Sequence, residues 1–122
     1  MKFKQFINEA PITSKPLRSA HKAHEVMTKL STRFVDMTSM RIIMDDLVDV
    51  YPELSAVKLD ISNMRYLGTY DPKHKVVSIN PKAPLSTFAH ELAHFWVIGH
   101  PVEFYTKMKE VAAHVADLVR GI

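Results

Sequence analysis

His90, Glu91 and His94 stand in the order His-Glu-Leu-Ala-His. Two imidazoles four residues apart on a helix project from one face, about a turn apart, and can grip a single metal ion. Glu91 falls one residue round the helix from His90. Its carboxylate is poorly placed to ligate the same ion and well placed to take a proton from a water bound to it. A zinc ion that acts on a substrate needs a third protein ligand and one open position. His100 is the nearest candidate. On an unbroken helix it would lie about 9 Å further along the axis than His94 and on another face. Gly99 offers the way round: glycine adopts positive φ readily, so the helix can end there and the chain can turn back to bring His100 to the ion. Glu103 and Glu110 are the fallback third ligands.

The other histidines have simpler readings. His100 itself would also suit a helix C-terminus, where the dipole favours it. His114 is expected on the surface, and His21, His24 and His74 lie in segments unrelated to the His90–His94 pair. Phe95 and Trp96 are expected to pack, with Trp96 also placed to line a cleft mouth. The chain has no cysteine, which excludes disulfides, thiolate catalysis and Cys-ligated zinc, and leaves His, Asp and Glu as metal ligands.

Elements must bring these residues together, and the apolar spacing suggests which. Leu17, Ala20, Met27, Leu30 and Phe34 recur at helical spacing behind Pro16, predicting a first helix over 16–37. Thr38 or Ser39 would cap a second, with Met40, Ile43, Met44, Leu47, Val48 and Tyr51 as its stripe and Pro52 as its end. The period then changes to two. Val57, Leu59 and Ile61 alternate with polar residues, Met64 to Tyr70 offers a second strand, Asp71-Pro72-Lys73 reads as a turn, and Lys75 to Asn80 makes a third. After Pro81 and Pro84, Ser86 to Ile98 reads as the histidine-bearing helix with Gly99 as its C-terminal cap. Pro101 then opens a last helix with Tyr105, Met108, Ala112, Val115 and Val119 on its apolar face. The predicted fold class is α+β: two N-terminal helices, a small three-stranded, mostly antiparallel sheet, an active-site helix and a C-terminal helix.

At 122 residues, 47% of them hydrophobic, the chain suits one packed domain, here 16–122, behind a leader at 1–15. Apolar runs fall far short of the roughly 20 residues that span a bilayer, so no membrane partner is expected. A net charge of +3 without a clustered basic face allows at most weak association with DNA.

The stretch HELAHFWVIGHPVEFYTKM resembles the active-site segment of SprT-like and WLM-type zincin metallopeptidases: HExxH, five residues, a third His, and a Phe at Phe104. The resemblance covers roughly residues 75–110. It implies a minimal zincin fold, His90, His94 and His100 as zinc ligands, Glu91 as general base, and a protein or peptide substrate that pairs with the preceding strand at 75–80. Metzincins place a glycine where this chain has Val97, and gluzincins draw a downstream Glu, for which Glu110 is the candidate.

The N-terminal MKFKQFINEA resembles the capsid-targeting peptides of internal head proteins in T-even-like bacteriophages. That likeness implies cleavage after Glu9, before Ala10, by a prohead protease. It also implies synthesis in the cytoplasm, packaging in the virion interior with DNA, and delivery to the host cytoplasm.

The reaction these residues imply is metal-assisted hydrolysis of an amide. Zinc lowers the pKa of a bound water towards about 7, Glu91 accepts its proton, and the same carboxyl returns it to the leaving amine. Tyr70, His74 and Tyr105 are the candidate donors for transition-state charge. The alternative is a non-catalytic internal head protein, or a host-directed binding protein, in which zinc only stabilises the fold.

Overall fold

Asp36, not Thr38 or Ser39, starts the first long helix, α1 (Met37–Val50). Its carboxylate accepts a hydrogen bond from the Ser39 backbone N–H at 2.7 Å, satisfying one of the donors that a helix start leaves open. That bond also holds the Asp36 carboxyl below its usual range. The computed structural model describes residues 25–119. The leader at 1–15, the Glu9–Ala10 bond, His21, His24 and the start of the expected 16–37 helix lie outside them.

Within the described part, that first helix is shorter than its periodicity suggests. Residues 25–30 are helical, and the chain then turns and runs extended into Asp36. Ser31 and Thr32 give the reason: their hydroxyls donate back to the carbonyls of Thr28 and Lys29 at 2.6 and 3.0 Å, a local bonding pattern that competes with helix continuation. α1 buries Met40, Ile43, Met44 and Leu47, as its stripe predicts. Tyr51 closes it by donating its N–H to Leu47, and Pro52 opens a 3-10 turn over Pro52–Ala56.

Three strands follow: β1 (Lys58–Ile61), β2 (Gly68–Asp71) and β3 (Val76–Ile79). Their order in the sheet is β1-β3-β2, with β2 antiparallel to β3 but β1 parallel to it. The sheet is therefore mixed, and the expectation of a mostly antiparallel one is corrected. β3 holds the centre because its Val77 and Ile79 are fully buried, whereas the strands beside it have no buried residue. The second strand begins at Gly68 instead of Met64. Met64 to Leu67 form a loop braced by Asn80, whose side-chain amide donates to the Met64 carbonyl at 3.0 Å and whose N–H donates to that of Leu67 at 2.9 Å. The Asp71 carboxylate organises the turn into β3 by accepting the N–H groups of Lys73 and His74.

α2 (Leu85–Ala93) and α3 (Val102–Leu118) pack against each other, and α2 also lies on β2 and β3. α2 ends at Ala93, five residues short of Ile98, so Gly99 is not its cap. On α3 the buried face is Phe104, Met108, Val111, Ala112 and Val115; Tyr105, expected there, is 45% exposed. Spacings of three and four keep 104, 108, 111 and 115 on one side, and 105 falls about 100° away. The main core draws on α1, β3, α2 and α3, while Ala93, Phe104 and Met108 form a smaller cluster under the turn that follows α2. Among the described residues, no helix is long and apolar enough to cross a membrane.

Candidate metal centre

α2 buries Leu85, Phe88, Ala89, Leu92 and Ala93, which leaves His90, Glu91 and His94 on its other, half-buried face. Gly99 then adopts φ 79, the left-handed conformation a glycine takes at little cost, and reverses the chain towards α2. The glycine does what its position suggests, though inside a loop and not at a helix cap. His100 comes back against His90, with the two Nε2 atoms 3.4 Å apart.

The ligand nitrogens of His90, His94 and His100 all lie within 4.8 Å of one another. Their ring centroids make a near-equilateral triangle with sides of 5.1, 5.4 and 5.1 Å. Two ligands about 2.05 Å from a tetrahedral ion sit about 3.3–3.4 Å apart, so the His90–His100 separation already fits one shared ion. The three histidines can bind a metal ion.

A floor holds the triangle in shape. The fully buried Phe104 ring lies 4.3 Å from that of His94 and stacked on it, and meets those of His90 and His100 edge-on at 4.9 and 5.1 Å. His94 Nδ1 lies 3.0 Å from the Val97 carbonyl, which can only accept, so Nδ1 donates to it and Nε2 is the ring nitrogen left to face an ion. Burial, and then the charges of His94 and His100, push the His90 imidazole below its ordinary pKa, towards the neutral form that binds metal.

Glu91 faces the same cleft as His90. Burial raises its carboxyl above the usual range, partly offset by the nearby His100. The cleft, about 490 Å³, is also walled by Met27, Tyr66, Leu67 and Thr87. Gly68 makes its closeness possible: a Cβ there would stand 2.8 Å from Thr87 Cγ2 and 2.9 Å from Glu91 Cγ.

The fallback ligands do not join the site. Glu103 is exposed, and the Glu110 carboxylate accepts from the Tyr51 hydroxyl at 2.5 Å and from Lys107 at 3.1 Å. His114 is half-buried and sits edge-on to Tyr51, so it is less exposed than expected. Of the three candidate donors, Tyr105 lies beside the histidines, its ring 6.3 Å from that of His100. His74 pairs with Asp71, and Tyr70 packs against the main core. Trp96 packs, as expected, against Tyr51. The sequence reading missed the Val97 carbonyl, Gly68 and the Met27–Tyr66–Leu67 wall. Only Gly68, a glycine directly before the alternating Thr69 and Tyr70, carried a signal that could have found it.

Comparison of the chain with protein-family models and with curated proteins finds no match.

Proposed function

We propose that the protein is a zinc-dependent hydrolase acting on peptide bonds. The observation that carries this reading is the convergence of the three imidazoles, with Glu91 on the same cleft. Among the described residues no fourth His, Asp or Glu joins the group, which suits a site with an open position better than a closed structural one. Bound zinc would supply a water acidic enough to ionise near neutrality and would polarise a carbonyl. Glu91, its basicity raised by burial, takes that proton and hands it to the leaving amine. The Tyr105 hydroxyl is the nearest candidate to donate to developing negative charge.

The substrate's place differs from the one the resemblance implies. β3 is paired on both sides, so it has no edge to offer a peptide. Among the described residues β2 is an edge strand, and its Gly68 lies beside Glu91, so an extended chain added there would pass close to the proposed base. Its side chains would meet Met27, Tyr66 and Leu67, which favours an apolar residue.

Elemental analysis of chelator-free protein beside His100→Ala tests the metal. About one zinc per chain in the wild type and little in the variant is expected; equal loading would remove His100 from the ligand set. Glu91→Gln should keep its zinc and lose peptide hydrolysis by about 10²–10⁴-fold. Loss of metal in that variant would remove the base assignment.

A further inference from the structure

The turn from His94 to Pro101 has a division within it. Its backbone bonds run back into α2 as far as Val97, whose N–H donates to the Ala93 carbonyl at 3.2 Å. From Ile98 to His100 the chain is exposed, and the third ligand sits at its far end. Trp96 lies two residues before that exposed stretch, next to Val97, and three neighbours from elsewhere in the fold hold it. Its ring is 4.8 Å from that of the buried Tyr51, its Nε1–H donates to Glu53 at 3.2 Å, and the Lys107 ammonium lies 4.8 Å above its face. Lys107 and Tyr51 are themselves tied together through Glu110.

We propose that Trp96 is a positioning residue for the metal centre: it fixes the turn so that the Val97 carbonyl holds His94 and the following residues hold His100 in register. The proposal rests on the metal reading above. The indole is clamped by an aromatic face, a cation and a carboxylate, a combination that fixes the plane of the ring as well as its place. Val97 follows it directly in the chain, so anchoring the indole restrains the backbone that carries the carbonyl against His94 Nδ1. Partners of this kind, one step removed from the ligands, change metal affinity without touching the ion.

The test compares zinc affinity, by competition with a chromophoric chelator, and the visible spectrum of the cobalt(II)-loaded protein. Trp96→Ala should bind zinc about 10–100-fold more weakly and lose the intense bands of tetrahedral cobalt. Trp96→Phe, which keeps a ring against Tyr51, should recover part of both. Ile43→Ala, in α1 and fully buried, serves as a control for stability loss alone and should leave the cobalt spectrum as in the wild type. A folded Trp96→Ala with wild-type affinity and spectrum overturns the proposal, as does an equal effect in the Ile43 control. If Trp96→Ala does not fold, Glu53→Gln and Lys107→Met loosen the same clamp from exposed or half-exposed positions, and unchanged affinity in both overturns it equally. Wild-type protein that takes up no metal overturns the metal reading itself, whereas loaded wild type with an unaffected Trp96 series overturns this inference alone.

Discussion

The two walls of the metal centre are built in different ways. On one side, Glu91 is set by contact: β2 approaches α2 so closely at Gly68 that a methyl group would not fit between them. On the other, the turn that carries His100 is set by direction: a carbonyl on His94, a left-handed glycine, and a tryptophan held by named polar and charged partners. Close packing resists displacement in every direction and needs no particular partner. Hydrogen bonds and ring faces specify orientation, which three imidazoles converging on one point require. In the proposed hydrolase a base would tolerate the coarser device because it has only to reach a proton, while the ligands would have to meet an ion within a few tenths of an ångström.

Phe104 is the floor beneath the three imidazoles, and removing it is the largest break available. It is fully buried under all three imidazoles, so Phe104→Ala should cost about 3–5 kcal/mol by denaturant titration. Zinc affinity should fall with it. Phe104→Leu sharpens the contrast between filling space and giving direction, because it restores apolar volume but not a flat face for His94. Stability should return further than metal affinity does. If both return equally, the ring acts only as filler.

Gly68→Ala attacks the packed wall by itself. Its backbone is not in the left-handed region, so the cost is the collision with Thr87 and Glu91, about 1–3 kcal/mol for an overpacked contact. Hydrolysis should fall while zinc loading stays at the wild-type level. Loss of zinc in this variant would mean that the two walls are not independent.

The directional wall was the more legible of the two in the sequence. His90, His94 and His100 could be picked out as a group because ligand chemistry restricts residue type and helical spacing restricts position, and Gly99 marked where the chain had to turn. The helix boundaries around it were less legible. Periodicity carried the histidine helix on to Ile98 because Phe95, Trp96 and Val97 continue an apolar run, yet these residues serve the turn that leaves α2 at Ala93. The parallel pairing of β1 with β3 was invisible, since alternation reports which face of a strand is buried and says nothing of its neighbour. The apolar wall of Met27, Tyr66 and Leu67 was hidden for a similar reason. Those residues come together only through the sheet order and the Asn80 brace, and both are tertiary.

The smallest expected effect concerns what the two walls cost the metal-free fold, and the signs are opposite. Burial raises the Glu91 carboxyl above its ordinary value of 4.5, so between that pH and its folded value the folded chain holds a proton that the unfolded chain has lost. Stability from Glu91 therefore falls as pH rises through that window and stays lower above it. His90 is lowered from 6.5, so there the unfolded chain binds the extra proton, and stability falls as pH drops from 6.5 through the folded value. With chelator present, because a bound cation would reverse the local field, melting temperatures over about pH 4–8 separate the two. Glu91→Gln should melt above the wild type at neutral pH, and the gap should close towards pH 4. His90→Gln should flatten the acid limb instead. Curves that run parallel across the whole range would mean that neither burial is felt by the fold, and that the Glu91 carboxyl is no stronger a base here than on an open surface.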